Sequence, residues 1–171
     1  MKRNAQHIAK RTVLVVGEGY AELAFLRHLK SLYVQRASGV AVTIKNAYGK
    51  GAQHVVDVAI RQSRNAQFDV VAALLDADTD WHEKTQALAR KHKVQVVAAE
   101  PCLEALLLGL HGAAVAGKTT AQLKLAFGQR FGAPASESSI YAPHFQHALI
   151  EQRKQNSAPL AKLINLMCPG A

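Results

Sequence analysis

Apolar and polar positions along the chain predict four β-strands. The first and third runs, residues 13–16 and 70–75, are continuously apolar, as expected for strands that are covered on both faces. Residues 40–45 instead alternate between apolar and polar, which is typical of a strand with one wetter face. A fourth strand is predicted at residues 94–99. We therefore expect the second strand at an edge of the sheet and the third at its centre.

The segments between these strands have helical periodicity. Leu23, Leu26, Leu29 and Tyr33 form one apolar stripe, and a second stripe begins at Val55. Residues 81–92 are amphipathic, and a very apolar helix follows the fourth strand, with Pro101 predicted at its first position. Strands and helices that alternate with short connections favour parallel strands joined by right-handed crossovers. The predicted fold class is α/β, with a Rossmann-like, mostly parallel four-stranded sheet and helices on both faces.

The pattern changes beyond His111, where only helical pieces and loops remain. We expect a single domain over residues 1–171, with the α/β core at 12–111 and a helical C-terminal decoration at 112–171. The loop GAAVAGKT (112–119) fits the phosphate-loop pattern of nucleotide-binding proteins. That loop requires a preceding strand, whereas a helix is predicted here, so we expect no nucleotide site of this kind.

Composition and charge narrow the classes of function. Of the 171 residues, 49% are hydrophobic and 19% charged, and no run of eighteen apolar residues is present, so we expect a cytoplasmic protein without membrane association. Two distant cysteines, Cys102 and Cys168, indicate neither a disulfide framework nor a zinc site. The net charge of +9 favours a nucleic-acid partner, although a merely soluble basic surface is the alternative.

Acidic residues follow three of the predicted strands. Glu18 follows the first strand, Asp76 and Asp78 follow the third, and Glu104 lies just beyond the fourth. In open α/β sheets, ligands bind beyond the carboxyl ends of the strands, where the strand order reverses. If the second strand flanks the first, the first and third strands are neighbours. Glu18 would then lie close to the aspartates.

Carboxylates that meet at a dry strand end repel one another unless a cation or a raised pKa relieves the repulsion. Mg²⁺ and Mn²⁺ prefer oxygen ligands, so a hard divalent metal is the predicted cofactor. Glu22, one helical turn after Glu18, and Asp80 are candidate ligands of a second ion. The alternative is that the glutamates only complement the helix dipole and that residues 76–80 form a solvated turn.

At these residues the chain resembles the Toprim domain, the metal-binding module of topoisomerases, bacterial primases and several small nucleases. The Toprim pattern has a glutamate after the first strand, matched by VVGEG, and an aspartate pair after the third, matched by LLDAD. The closer similarity, over about residues 13–111, is to RloB-like proteins and OLD-type nucleases. It lies in EGYAE (18–22) and in PCLEALLL (101–108).

The resemblance implies a nuclease that uses two divalent ions to hydrolyse phosphodiester bonds of DNA or RNA, in the context of phage defence. The catalytic ligands would be Glu18, Asp76 and Asp78, with Glu22 and Asp80 as further metal ligands. The resemblance places Glu104 near the site, where it could equally be a structural acid. Lys45, Lys50 and Lys118 could contact phosphates, or could simply be solvated. A partner protein or a homo-oligomer would be compatible with this function.

Three other functions remain open from the sequence. The chain could be a non-catalytic nucleic-acid-binding subunit of a larger complex, with acids that only maintain the fold. The same metal site could also serve nucleotidyl or phosphoryl transfer. Acids after the first and third strands would suit a phospho-accepting receiver domain as well, but such a domain needs a hydroxyl after the fourth strand, where AAEP stands. Trp81 could stack a base or pack in the core.

Overall fold

The computed structural model describes residues 11–36, 38–78 and 80–170. Its strands are β1 (Arg11–Gly17), β2 (Val40–Asn46), β3 (Val70–Asp76) and β4 (Val94–Ala99). All neighbouring strands are parallel, and their order is β2-β1-β3-β4. The predicted α/β class, the edge position of β2 and the central position of β3 are therefore confirmed.

The helices of the α/β part connect successive strands. These are α1 (Tyr20–Tyr33), α2 (Gly51–Asn65), α3 (Glu83–Lys91) and α4 (Leu103–Leu110), the last of which follows β4. The prediction that Pro101 opens α4 is wrong, because this helix begins at Leu103 and its N-cap is Cys102. Pro101 belongs to the turn that brings the chain from β4 to the helix, where the Glu100–Pro101 peptide bond is cis.

The C-terminal part consists of α5 (Thr120–Phe131), a 3₁₀ turn (Ser138–Ile140), α6 (Tyr141–His144), α7 (His147–Lys154) and α8 (Ala158–Met167). The loop at 112–119 follows helix α4 rather than a strand, so it lacks the context of a phosphate loop, as the sequence indicates. In the described residues, no helix has both the length and the apolar character needed to cross a bilayer.

Alternating strand residues contribute to two hydrophobic cores, one on each face of the sheet. On one face, Val13 and Val15 of β1 pack with α1, α4 and the C-terminal helices. On the other, Leu14 and Val16 pack with α2 and α3. Because both faces are covered, all four of these side chains have no solvent exposure. This burial explains the continuous apolar run that the sequence shows at β1.

Polar contacts attach the C-terminal helices to α1. The hydroxyl of Tyr33 donates a hydrogen bond to Oε1 of Glu151 on α7, at 2.6 Å. Five residues earlier on α1, Nε2 of His28 lies 2.7 Å from the carbonyl oxygen of Phe145. Phe145 is itself fully buried in the core beneath α1. The helical C-terminal part therefore covers the same face of the sheet as α1 and α4.

Candidate functional site

Glu18 and Asp76 meet where β1 and β3 end. The backbone N–H of Glu18 donates to the carbonyl oxygen of Leu74, which continues the pairing of β1 with β3 by one residue. The backbone N–H of Asp76 then donates to Oε2 of Glu18 at 3.0 Å. Parallel pairing therefore brings together two acids that are 58 residues apart in sequence.

Glu22 lies at the same strand end because α1 packs closely against Gly17. A Cβ atom added at Gly17 would stand only 2.9 Å from Cβ of Glu22 and 3.3 Å from the backbone nitrogen of Leu23. Glu22 is 5% exposed, and its Oε2 accepts a hydrogen bond from the N–H of Gly19 at 2.8 Å. This bond caps the first turn of α1, so Glu22 has the helix role that the sequence left open and also faces the other acids.

The start of α4 also lies at the site, beside Asp76. The N–H of Leu103 donates to Oδ1 of Asp76 at 2.9 Å, and Glu104 in the first turn is 6% exposed. The neighbouring Cys102 is fully buried, and burial together with the negative charges of Glu104 and Asp76 raises the pKa of its thiol to about 12. Cys102 is consequently a thiol that packs in the core, with little thiolate at neutral pH.

Burial and neighbouring carboxylates raise the pKa values of three acids of the site, Glu18, Glu22 and Asp76. Burial raises the pKa of Asp76 to about 8, and the charges of Glu22, Glu104 and Glu18 add to the increase. The pKa values of Glu18 and Glu22 are raised as well, in each case mainly by burial and further by neighbouring carboxylates. The carboxylate cluster, defined as Glu18, Glu22, Asp76, Asp78 and Glu104, is therefore a place where a cation would be strongly stabilised.

Helix α5 approaches the carboxylate cluster from the C-terminal part of the chain. The hydroxyl of Thr120 donates to Oδ2 of Asp78 at 2.7 Å. One turn later, the ammonium group of Lys124 lowers the pKa of Glu18. Burial alone would lower the pKa of Lys124 itself, but the charges of Glu104 and Asp76 raise it above its usual value. Neither residue could be identified from the sequence, because no strand-end pattern marks α5.

Asp80 has a different environment from the other acids. Its carboxylate accepts hydrogen bonds from the N–H groups of Ala52 and, at 3.2 Å, Gln53, at the start of α2. A Cβ atom at Gly51, whose φ is +80°, would stand 2.8 Å from Oδ1 of Asp80, so glycine is required there for this close approach. Asp80 thus complements the positive end of the α2 dipole. Its negative charge still raises the pKa of Glu18.

The three candidate phosphate-binding lysines are all exposed, and they lie in different places. Lys45 is near the end of β2, and Lys50 is the residue before α2, in the left-handed conformation with φ of 74°. Both belong to the strand and loop beside Glu18. Lys118 lies in the loop before α5 and lines a shallow cleft with Ala126 and Arg130. Lys118 is two residues before Thr120, which bonds to Asp78, so it belongs to the α5 side of the site.

Two tyrosines at the edge of the site were missed from the sequence. Tyr20 is the first residue of α1 and is 63% exposed, and Tyr48, in the loop after β2, is 70% exposed. Their ring centroids are 6.0 Å apart in an edge-to-face arrangement. By contrast, Trp81 packs against the core beneath α2 and α3, as the structural interpretation of that residue predicted. The sequence does contain a signal for Tyr20 and Tyr48, since each is adjacent to a glycine just after a strand.

The donors of the carboxylate cluster suit a hard divalent cation, because all of them are carboxylate oxygens. The hydrogen bonds described above use one oxygen of each of four acids, namely Oε2 of Glu18, Oε2 of Glu22, Oδ1 of Asp76 and Oδ2 of Asp78. Within residues 11–36, 38–78 and 80–170, however, no three His, Cys, Asp or Glu side chains are already placed as ligands of one metal ion. The carboxylate cluster therefore fits a divalent cation in the chemistry and charge of its donors, but these donors do not form a complete coordination shell.

In comparisons with known proteins, no family model, no curated protein and no solved structure matches this chain.

Proposed function

We propose that this protein is a divalent-metal-dependent nuclease that hydrolyses phosphodiester bonds, with its active site at the carboxylate cluster. One observation carries the proposal: acids from β1, α1, β3 and α4 converge at one sheet end, and burial together with their mutual repulsion raises the pKa of Asp76 to about 8. A cluster maintained only for folding would gain little from such repulsion, whereas a cation site requires concentrated negative charge.

The roles of the residues follow from their positions. Glu18, Asp76 and Asp78 would hold a Mg²⁺ or Mn²⁺ ion through the carboxylate oxygens that their hydrogen bonds do not use. Glu22 would hold a second ion, with Glu104 as a further acid. Bound divalent ions would supply an activated water and stabilise charge on the phosphate. Because both oxygens of Asp80 already accept bonds from α2, we assign Asp80 to positioning that helix.

The backbone amides around the cluster keep its carboxylates in place. The N–H groups of Asp76 and Leu103 each hold one oxygen of an acid, on Glu18 and Asp76 respectively. Thr120 does the same for Asp78, so α5 contributes to the orientation of the site. Lys124 offsets part of the negative charge and lies where it could also contact a phosphate. The net charge of +9 supports a polyanionic substrate.

The test is cleavage of labelled single-stranded DNA, duplex DNA, transfer RNA and ribosomal RNA by the purified protein with Mg²⁺, Mn²⁺ or EDTA. Asp76→Asn and Glu18→Gln keep side-chain size but remove a carboxyl group that can bind metal, so both should abolish metal-dependent cleavage. Asp57→Asn is the matched control, because Asp57 is an exposed acid that lines a cleft between α2 and α3, and its substitution should not affect cleavage.

Three outcomes would contradict the proposal. Full activity of Asp76→Asn would show that the carboxylate cluster takes no part in the reaction. Binding of nucleic acid without cleavage under any metal condition would instead favour the alternative from the sequence, a non-catalytic nucleic-acid-binding subunit. Formation of an extended or covalently joined product in place of shorter fragments would indicate nucleotidyl transfer.

A further inference from the structure

We propose that Tyr20 and Tyr48 form a stacking platform for an unpaired base of single-stranded nucleic acid, directly beside the carboxylate cluster. This inference rests on the proposed function and specifies its substrate class, a polynucleotide strand whose bases are free to stack. In the described residues, these two tyrosines and Leu125 are the large hydrophobic side chains that are most exposed to solvent. Tyr20 and Tyr48 contact each other, with ring centroids 6.0 Å apart.

Backbone hydrogen bonds fix the platform next to Glu18. Tyr20 follows Glu18 by two residues and starts α1. On the other side, the N–H of Gly49 donates to the carbonyl oxygen of Glu18 at 2.7 Å, and the N–H of Ala47 donates to that of Gly17 at 2.9 Å. Tyr48 lies between these two bonds in sequence. Both rings are therefore attached to the segment that carries the first acid of the cluster.

The backbone of Tyr48 is held in a conformation that non-glycine residues rarely adopt. Its φ is +63°, and its N–H donates to Oδ1 of Asn46 at 2.7 Å. Such a conformation costs energy for a bulky side chain, and here it places a large ring on the surface instead of in the core. Tyr48 contributes little to the hydrophobic core, since it remains 70% exposed. A ligand that covers both rings would account for this arrangement.

The charge around the platform fits a nucleic-acid strand. Lys50 is two residues after Tyr48, and Lys45 lies near the end of the adjacent strand β2, both with exposed side chains. Aromatic rings flanked by lysines are the usual elements of single-strand binding, with rings that stack on bases and ammonium groups that contact phosphates. In a duplex, neighbouring base pairs already cover the faces of each base. The platform therefore favours single-stranded or unpaired nucleotides.

The test is the fluorescence anisotropy of labelled oligonucleotides in EDTA, where binding is measured without hydrolysis. The probes are oligo(dT), oligo(U), a duplex and an abasic strand of equal length. Wild-type protein should bind oligo(dT) or oligo(U) more tightly than the abasic strand by about fivefold or more, which is the lower range for stacking of one base. The DNA and RNA probes decide which sugar is preferred.

Tyr20→Leu and Tyr48→Leu should each remove most of the preference for strands with bases, whereas Tyr20→Phe and Tyr48→Phe keep the ring and should keep the preference. All four variants should retain the wild-type affinity for the abasic strand, because the lysines are unchanged. The inference would be overturned if the leucine variants prefer strands with bases over the abasic strand to the same degree as wild type. Equal wild-type affinity for abasic, single-stranded and duplex probes would also overturn it.

Failure of this inference can be separated from failure of the proposed function. If the platform is absent but the nuclease assignment is correct, the leucine variants bind as wild type and cleavage still requires Asp76. If the platform is present but the nuclease assignment is wrong, base-dependent binding is lost in the leucine variants while no substrate is cleaved with any metal.

Discussion

At the scale of single residues, Asp76 has the environment that most requires explanation. It lies at the end of the central strand, is 9% exposed, and faces Glu22, Glu104 and Glu18. Its Oδ1 atom accepts the N–H of Leu103, a bond that asparagine could also accept through its side-chain oxygen. Asp76→Asn therefore removes a carboxyl group that can ionise and bind metal, while it retains the shape and the hydrogen bond.

We predict that wild-type protein in EDTA loses stability as the pH rises from about 4 towards 8. The unfolded chain releases the Asp76 proton near the ordinary value of 3.8, whereas the folded protein keeps it until a pKa of about 8, so the folded state binds more protons in this range and stability falls. Asp76→Asn should flatten this dependence and raise Tm near the upper end, by about 2–4 °C for each kcal/mol gained.

Thermal unfolding followed by circular dichroism over this pH range checks the prediction. Added Mn²⁺ should restore stability to the wild type but not to Asp76→Asn, because a ligand that binds only the folded state stabilises it. A wild-type Tm that rises steadily over the same range, or an identical response of both proteins to Mn²⁺, would contradict our interpretation of Asp76.

At the scale of the elements, the contact between β1 and α1 positions Glu22. Gly17→Ala would place a Cβ atom 2.9 Å from Cβ of Glu22 and 3.3 Å from the backbone N of Leu23, so the start of α1 would have to move. We predict a loss of about 1–3 kcal/mol in the free energy of unfolding, the usual cost of overpacking, together with weaker Mn²⁺ binding.

Urea denaturation and calorimetry measure these two effects. The control is Gly109→Ala on α4, where an added Cβ has no heavy atom within 4 Å. Alanine there should leave metal binding unchanged, and it should stabilise the helix by up to about 1 kcal/mol. Equal stability of the Gly17→Ala variant and wild type would show that α1 is free to shift away from β1.

At the opposite end of the sheet, a hydrogen-bonded pair should affect the stability of the fold but not metal binding. Both the N–H and the hydroxyl of Thr12 donate to Oδ2 of Asp69, at 2.7 and 2.9 Å, where β1 and β3 begin. These bonds lower the pKa of Asp69 below 3.8, and the bond from the backbone N–H has the larger effect. They therefore contribute stability above about pH 4 that is lost as the pH falls through the lowered pKa.

Asp69→Ala should accordingly lower Tm at neutral pH and leave a smaller difference from wild type in acid. Because Asp69 is at the amino end of β3 and the carboxylate cluster is at its carboxyl end, the affinity for Mn²⁺ should not change. Thermal unfolding at several pH values and a metal titration at neutral pH check both statements. Impaired metal binding in this variant would indicate that the two ends of the sheet are coupled.

At the scale of the whole molecule, the excess of 21 basic over 12 acidic residues should control binding to nucleic acid. Because binding releases counterions, log K should fall linearly with log salt, with a slope of about −0.7 per phosphate contacted on a single strand. We expect a slope of about −2 or steeper, which corresponds to about three contacts. Lys50→Gln should make the slope shallower by about 0.7, and Lys91→Gln, on α3, should not. Salt-independent binding would argue against a phosphate-contacting surface.

Local sequence patterns predict the parts of the fold and site that depend on strand ends. Glu18 and Asp76 could be brought together from the sequence because β2 has the alternation of an edge strand, which makes β1 and β3 neighbours. The contributions of Thr120 and Lys124 could not be predicted. They depend on how α5, which begins more than 40 residues after Asp78 in the sequence, packs against the site. The sequence predicts Asp80 as a metal ligand because it lies close to Asp78, but its hydrogen bonds to the distant start of α2 could not be predicted.

The central claim is that the carboxylate cluster binds a divalent cation, and isothermal titration of the metal-free protein with Mn²⁺ tests it most directly. Wild type and Asp57→Asn should bind alike, and Asp76→Asn should bind about tenfold more weakly or not at all, while its unfolding transition shows that it is folded. If wild-type protein takes up no Mn²⁺, or if Asp76→Asn binds it as wild type does, the claim is wrong.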